Sequence, residues 1–323
     1  MFRLPGKNKL TAEVRENFSI TVMTDERKRS RGGQCKIRCT KKAAPVDIEE
    51  INKIQLLLNQ TVDEFLATFN LPPIDDPKEK KFRAQVLKMN QQVVLENNEA
   101  YLARRRSWFE TINEFSDILD DEFIASHTGL MEDVGQLNNT DIPLLRMDSL
   151  RSDVPASYNS VSLGHVSPVK NQGGCGSCAA FATMALVETC FKKKVGVFGD
   201  YSEQQLLDCA YGAPGVFGCR GATDSGYASW LASNKPRLAS EASYPYTARV
   251  GACREDYEEF DQGAWISGYF TTGWGRGNEE TLKRLVYQHG AVLVAVAVNA
   301  NFQFYRAVFS TQCRGLILGI ALP

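Results

Sequence analysis

The spacing of hydrophobic residues changes along the chain and divides it into two regions. Between residues 47 and 70 apolar side chains recur near the helical period, which predicts an amphipathic helix ended by Leu71-Pro72-Pro73. A longer helix is predicted from Pro77 to Trp108, because Glu, Lys, Gln and Leu prevail there and no Gly or Pro follows its first turn. Beyond Pro155 Gly and Cys become frequent, and we place a domain boundary there.

Three elements are predicted in the second region. Residues 178–194 form a helix, because apolar residues line one side, lysines end it and Gly196 follows. Residues 201–209 predict a short helix that is capped by Ser202. Residues 291–298, AVLVAVAV, are a continuous apolar run typical of a buried strand.

Composition and charge indicate a soluble globular protein. The 323 residues are 43% hydrophobic and 23% charged, with a net charge of −1. Residues 1–45 contain twelve Lys and Arg against four Asp and Glu, without interleaved aromatic residues, so we expect a solvated basic arm rather than a nucleic-acid contact. No apolar run approaches the roughly 18 residues that span a bilayer, and no secretory signal is visible at residues 1–18.

Nine cysteines require an explanation, since six of them lie between Cys175 and Cys253. Such clustering indicates disulfides, a metal site or a reactive thiol. The chain has only three histidines, and none has zinc-finger spacing from a CxxC pair. We therefore expect no metal site and no cofactor.

The segment from Gln172 to Cys178, QGGCGSC, directly precedes the predicted helix 178–194. A thiol at a helix N-terminus is close to partial positive charge and unpaired N–H groups, which favour the thiolate. The glycines allow a tight turn, and the Gln172 amide can join a backbone N–H as a second donor to an oxyanion. Two structural cysteines or a redox CxxC are the alternative interpretations of this segment taken alone.

Further motifs identify a family. Residues 167–178, SPVKNQGGCGSC, resemble the nucleophile segment of papain-like cysteine proteases of the cathepsin L type, and the resemblance continues to about Cys313. It implies an α+β, two-lobed fold with a helical left lobe and an incomplete β-barrel right lobe. The further matching segments, in the order of the family, are YSEQQLLDC (201–209), GCRGA (218–222), SYPYTA (243–248) and GAVLVAVAV (290–298).

The resemblance also implies roles for individual residues. Cys178 would be the nucleophile and Gln172 the side chain of the oxyanion hole. Cys175 would pair with Cys219 and Cys209 with Cys253. Gly221 and Ala222 would line the cleft, where the family binds extended peptide in strand fashion.

The long helix resembles the inhibitory propeptide of this family. Six residues fall on one helical face at the spacing of the family signature, and Ile112–Asp117 resembles a second propeptide motif. The expected organisation is a basic arm (1–45), a helical propeptide that covers the cleft (46–130), an activation linker (131–153) and a peptidase domain (154–323). The signature residues are Glu79, Arg83, Leu87, Asn90, Val94 and Asn98.

The catalytic histidine of the family has no counterpart here. In the family it follows the cysteine that matches Cys313, and an orienting Asn comes later, but here only RGLILGIALP follows. His127, His165 and His289 match no catalytic position. We therefore expect a C-terminally truncated cysteine endopeptidase that is inactive as given.

The alternative to an endopeptidase is a non-catalytic paralogue that inhibits or binds an active cathepsin-like protease through its propeptide. The expected partners are accordingly peptide or protein substrates, or such a protease, and neither nucleic acid nor a membrane. A lysosomal or secreted location is implied by the resemblance alone.

Overall fold

The computed structural model describes residues 20–22, 48–106, 108–131, 150–258, 266, 268–271, 279–295 and 300–308. A three-residue 3-10 turn lies at Gly218–Arg220. In chain order the elements are β1 (Ile20–Val22), α1 (Ile48–Leu57), α2 (Val62–Thr68), α3 (Pro77–Leu102), β2 (Trp108–Glu110), α4 (Asp120–His127), α5 (Cys178–Val195), α6 (Glu203–Cys209), α7 (Gly226–Asn234), β3 (Phe270–Thr271), α8 (Glu279–His289), β4 (Leu293–Val294), α9 (Ala300–Gln303) and β5 (Tyr305–Val308).

The single helix predicted over residues 47–70 is wrong, because two helices, α1 and α2, occupy this range. Thr61 starts the second helix. Its hydroxyl accepts the Glu64 N–H, while the Glu64 carboxylate accepts the Thr61 N–H at 2.8 Å. This reciprocal capping box satisfies two backbone donors and stabilises a new N-terminus after the turn at Asn59.

The long helix α3 starts at Pro77 as predicted but ends at Leu102, six residues before the predicted end at Trp108. Arg104 adopts a φ of 56°, in the left-handed region, which stops the helix. The chain then turns back, so that Trp108 begins strand β2.

The signature face of α3 points inward and holds the segment that follows it. Asn90 Nδ2 donates to the Ser116 carbonyl at 3.0 Å. Asn98 exchanges two hydrogen bonds with the backbone of Glu110, at 2.9 and 2.8 Å. Each amide side chain thus supplies a hydrogen-bond partner for buried backbone groups that have none in regular secondary structure.

Arg83 is the basic residue of this face. Its guanidinium donates to both carboxylate oxygens of Glu122 on α4, at 2.7 and 2.9 Å, and to Glu79 at 2.6 Å. These hydrogen bonds hold the pKa of Glu122 below its ordinary value. Because the pKa is lowered on folding, Glu122 stabilises the fold above its unfolded pKa, and this contribution is lost as the pH falls through its folded pKa.

We expect Glu122→Gln to weaken the acid dependence of stability. The variant lacks the carboxylate whose protonation breaks the Arg83 contact, so its thermal midpoint should fall less than that of the parent between neutral pH and the acid range. Thermal unfolding followed by circular dichroism over this range measures the difference. Glu280→Gln, which removes the exposed partner of Arg284 on α8, is the control and should retain the parent's acid dependence. Identical profiles for the Glu122 variant and the parent would contradict the prediction.

Helices α5, α6 and α7 enclose the core of the peptidase region. Ser202 caps α6 as predicted, accepting the Gln205 N–H at 3.0 Å, and Gly196 ends α5 with a φ of 87°. The core residues lie on all three helices and on the segments between them; those with almost no exposed surface include Ala180, Met184, Leu206, Tyr201, Tyr227 and Leu231.

Strand pairing departs from expectation at two places. Of the run 291–298, Leu293 and Val294 alone form a strand among the described residues, and residues 296–299 lie outside them. The basic arm was expected to be solvated, yet its residues Ile20–Val22 pair antiparallel with both β3 and β4. An arm segment rich in β-branched residues therefore contributes to the sheet of the peptidase region.

The propeptide region and the peptidase region meet at strands β2 and β5. The two strands pair antiparallel, and Phe304 is buried in the propeptide core. Asn113 Nδ2 donates to the Gln303 carbonyl at 2.6 Å, and Gln303 Nε2 donates to the Phe115 carbonyl at 2.7 Å. The strand pairing, the buried Phe304 side chain and the two amide hydrogen bonds together position the segment that leads into α4.

Candidate active site

Cys178 begins helix α5 at the end of a tightly fastened loop. Cys175 is disulfide-bonded to Cys219, and the Gly176 N–H donates to the Cys219 carbonyl at 2.9 Å. A second disulfide, Cys209–Cys253, joins the end of α6 to the segment after Gly251. These are the two pairs that the family resemblance implied, and Cys178 itself is a free thiol.

The Cys178 thiol is mostly buried, which changes its expected protonation. Burial raises the pKa of the thiol above its ordinary value, and the backbone N–H groups of Ala179, Gly129 and Cys178 itself offset only part of this. In this covered form, burial thus opposes the stabilisation of the thiolate that is expected from the helix terminus.

The propeptide region passes directly over this thiol. Gln172 Nε2 donates to the His127 carbonyl at 3.2 Å, and the Gly129 N–H faces the Cys178 sulfur. On the opposite side, the Ala222 N–H donates to the Gly129 carbonyl at 2.8 Å. Two propeptide residues, His127 and Gly129, thus contact the two residues proposed for catalysis and one residue proposed for the cleft.

Gly221 and Ala222, the residues expected to line the cleft, lie against the covering segment. The Met131 N–H donates to the Ala222 carbonyl at 2.9 Å, and Leu130 and Ala222 form a parallel bridge. Gly221 lies so close to the Gly129 carbonyl that a Cβ on it would be 2.1 Å from that oxygen. The covering segment therefore pairs in strand fashion at Ala222 and passes close to Gly221.

The three histidines have other surroundings. The His127 ring lies between Phe115 and Phe123, and burial lowers its pKa. His165 Nδ1 is 3.2 Å from the Tyr158 hydroxyl, and burial lowers the pKa of His289 to about 4. Within the described part of the chain, the groups that shift the pKa of the Cys178 thiol include backbone N–H groups and no imidazole.

A cluster of buried charged side chains anchors the start of the loop that leads to Cys178. Lys170 Nζ donates to Glu188 on α5 and to Glu203 on α6, both at 2.9 Å, and to the Tyr201 carbonyl at 3.0 Å. Burial raises the pKa of Glu203 to about 7 although Lys170 opposes this. Lys170 lies two residues before Gln172, so the cluster ties the start of the loop to two helices.

Sequence reasoning missed three residues of this site: Lys170, Gly129 and Tyr246. Lys170 and Tyr246 belong to the matched segments SPVKNQ and SYPYTA, so the family resemblance marked their positions but not their contacts. Gly129 follows α4 at the edge of the expected linker, where a glycine usually indicates a turn. Gly129 lies between the backbone of Gly176 and that of Gly221, and no local sequence pattern predicts this tertiary contact.

Comparison with known proteins identifies the family. The sequence profile described as "Papain family cysteine protease" matches residues 154–321. Ananain from Ananas comosus is 37% identical over 241 residues, which are 74% of this chain and 65% of ananain. A cathepsin L-like proteinase from Fasciola hepatica is 34% identical over 62% of this chain and 59% of its own length. The chain thus spans less than two thirds of the length of these two relatives.

Solved structures agree with the sequences. A recombinant stem bromelain precursor has a TM-score of 0.61 and 33% identity, covering 76% of this chain and 74% of its own. A digestive procathepsin L 3 of Tenebrio molitor larval midgut has a TM-score of 0.65 and 28% identity, covering 79% and 77%. The chain belongs to the papain family of cysteine proteases, and the expected papain-like α+β fold is confirmed. Both structural neighbours are precursor forms, in accord with a zymogen.

Two further observations concern ligands and membranes. Within the described ranges no helix combines the length and apolar character needed to cross a bilayer. The same residues contain no cluster of three or more His, Cys, Asp or Glu side chains that could hold a metal ion.

Proposed function

We propose that this chain is a cysteine-endopeptidase zymogen by descent, with Cys178 as nucleophile and Gln172 as the oxyanion-hole side chain. One observation carries the proposal: the covering residues 127–129 present a backbone carbonyl to Gln172 and a backbone N–H to Cys178. A peptide substrate in this cleft would offer its own carbonyl to the same donors. Two disulfides favour an oxidising compartment, in accord with a secreted or lysosomal protein.

The chemistry follows from these positions. The Cys178 thiolate would attack the scissile carbonyl carbon, forming an S–C bond while the carbonyl electrons move to oxygen. The Gln172 amide and the Cys178 N–H would stabilise that oxyanion. Collapse of the intermediate expels the amine, which must receive a proton from a general acid. Water then hydrolyses the thioester and restores the thiol.

No imidazole in these 323 residues takes the part of that general acid and base. We therefore propose that the chain as given does not hydrolyse peptides at a useful rate, since loss of one member of a catalytic pair costs on the order of a millionfold. The thiol should nevertheless react with peptide-like electrophiles when the propeptide leaves the cleft.

A labelling and turnover experiment tests both parts. The acid-treated full chain is incubated with a peptide epoxide of the E-64 type and, separately, with a fluorogenic dipeptide. We expect adduct at Cys178, none at the free Cys190 of the same helix, and no cathepsin-like turnover. Adduct at Cys190 without Cys178 would contradict the nucleophile assignment, and cathepsin-like turnover would contradict the proposed inactivity.

A second candidate function follows from the same geometry. The covering segment 127–131 makes its described cleft contacts largely through backbone atoms, while no imidazole accompanies Cys178. Such a propeptide could occupy the cleft of an active relative and inhibit it. Titration of the full chain against active stem bromelain tests this: nanomolar inhibition supports the inhibitor, and unchanged activity at micromolar chain excludes it.

A further inference from the structure

The hydroxyl of Tyr246 connects the two ends of the nucleophile loop. Its O–H donates to the Gln172 carbonyl at 2.7 Å, and its oxygen lies 2.6 Å from the Ser177 hydroxyl. Since the phenol proton is used toward Gln172, the Ser177 hydroxyl is the donor of the second bond. One oxygen atom thus holds the residue that carries the side-chain donor and the residue immediately before Cys178.

The loop between these two anchor points is only partly held by its own hydrogen bonds, among them Gln172 Nε2 to the Cys175 carbonyl at 2.8 Å. Residues 173–176 contain three glycines and Cys175, and Gly173 has a φ of 57°. Glycines leave the backbone with more accessible conformations than any other residue. The distance between Gln172 and Cys178 therefore depends also on contacts from outside the loop: the disulfide Cys175–Cys219 in its middle and the Tyr246 hydroxyl at its ends.

The Tyr246 ring is itself held in place. It meets the Phe181 ring of α5 edge-on, with centroids 4.8 Å apart and an interplanar angle of 85°. Its backbone N–H donates to the Glu241 carboxylate at 2.8 Å. Burial raises the pKa of the Tyr246 phenol, which keeps the proton that the Gln172 contact needs. A fixed ring and a protonated hydroxyl are the requirements for a rigid clamp.

We propose that Tyr246 is a positioning residue that sets the separation of the Gln172 amide and the Cys178 N–H, and so shapes the oxyanion site. The inference rests on the proposed function, because the two donors matter only if an oxyanion forms there. Its distinctive consequence is that loss of the hydroxyl should weaken oxyanion binding while leaving the reactivity of the sulfur unchanged.

Tyr244 offers a matched control two residues away. Its hydroxyl donates to Asp208 at 2.9 Å and accepts the Arg254 N–H at 3.1 Å, and it has no described bond to residues 172–178. Tyr244→Phe therefore removes an equally hydrogen-bonded hydroxyl from the same motif. Any effect common to Tyr244→Phe and Tyr246→Phe is structural.

Two peptide probes of identical sequence separate the two properties of the site in the full chain. A peptide aldehyde adds the Cys178 sulfur to its carbonyl carbon, the thiol proton passes to the former carbonyl oxygen, and that oxygen occupies the oxyanion site. A peptide ending in a pyridyl disulfide forms an S–S bond with Cys178 and expels thiopyridone, without any oxyanion. Both probes enter only after the propeptide leaves, so the opening equilibrium cancels in their ratio.

For Tyr246→Phe we expect aldehyde affinity to fall about tenfold relative to the rate of the disulfide probe, the size of one lost hydrogen bond. Gln172→Ala should show a larger loss of the same kind, and Tyr244→Phe should match the parent. An unchanged ratio in Tyr246→Phe, or the same change in Tyr244→Phe, would overturn the inference.

Failure of the proposed function gives a different result. If the parent reacts with neither probe, the nucleophile assignment fails, and amide hydrogen exchange of residues 173–178 in the full chain decides the clamp by itself. Faster exchange in Tyr246→Phe than in Tyr244→Phe supports the clamp. Equal exchange in the two variants overturns it.

Discussion

Gly129→Ala is expected to make Cys178 of the full chain react about 10- to 100-fold faster with a peptide epoxide. A Cβ at Gly129 would lie 2.0 Å from the Gly176 carbonyl oxygen and 2.6 Å from its carbon. These are backbone atoms of the nucleophile loop, so no side-chain rotation relieves the clash. The propeptide segment must move away from the thiol.

The size of this effect follows from the cost of overpacking. Forcing a methyl group into a packed site costs about 1–3 kcal/mol, and about 1.4 kcal/mol changes an equilibrium tenfold. The open state of the cleft should therefore become roughly 10- to 100-fold more populated. Because the probe reacts only with the open state, the labelling rate reports this population directly.

Gly174→Ala is the matched control, since a Cβ there meets no atom within 4 Å and its φ is not positive. Mass spectrometry of the Cys178 peptide measures both rates. We expect the Gly174 variant to label like the parent. Equal rates for the Gly129 variant and the parent would mean that the segment does not pass over Cys178 in this way. The Gly129→Ala variant should also lose any inhibition of stem bromelain in trans.

Local sequence patterns predicted what local interactions determine. The helix at residues 178–194 and the cap at Ser202 follow from apolar spacing, terminal lysines and a capping hydroxyl, and the structure has them within one or two residues. The end of α3 was misjudged by six residues, because Arg104 has no intrinsic preference for the left-handed φ that it adopts. That conformation is selected by the pairing of Trp108–Glu110 with β5, about 200 residues away in the chain.

The residues of the candidate site also divide into those that a local sequence pattern predicts and those whose contacts depend on the tertiary fold. Cys178 and Gln172 can be predicted from the sequence because a glycine turn before a helix is a contiguous signal and a family resemblance makes it more specific. The contacts of Tyr246 and Lys170 join segments 18 to 74 residues apart, and spacing along one element gives no information about them. The protonation of Cys178 shows a related limit of local reasoning: a helix-terminus argument considers one element, whereas burial by all of the surrounding residues raises the pKa of this thiol.

Lys170→Met is expected to destabilise the full chain by about 3–5 kcal/mol at neutral pH, the typical cost of removing one partner from a buried ion pair. The Lys170 ammonium contacts Glu188 and Glu203, whose side chains are 1% and 2% exposed. Burial alone would lower the pKa of Lys170, but the two carboxylates raise it above its ordinary value. Methionine retains most of the side-chain volume and removes the charge, so the loss is mainly electrostatic.

The sign of the pH dependence distinguishes this cause from lost packing. Without Lys170, the folded pKa of Glu203 should rise further above its unfolded value. A group with a raised folded pKa contributes stability below its unfolded pKa and loses it as the pH rises through the folded pKa. The difference between variant and parent should therefore be largest at neutral pH and shrink under mildly acidic conditions, where Glu203 is protonated.

Urea unfolding of the full chain at the two pH values measures this difference. Lys192→Met removes an exposed ammonium that donates to the Gly196 carbonyl on the same helix, and should stay within about 0.5 kcal/mol of the parent. The double variant Lys170→Met, Glu203→Gln should regain part of the loss, because one uncompensated carboxylate is removed. A loss that is independent of pH and not relieved by Glu203→Gln would assign the effect to packing. Lys170 anchors the loop that leads to Gln172. An electrostatic origin of the loss would therefore mean that one ion cluster both stabilises this part of the fold and positions the nucleophile segment.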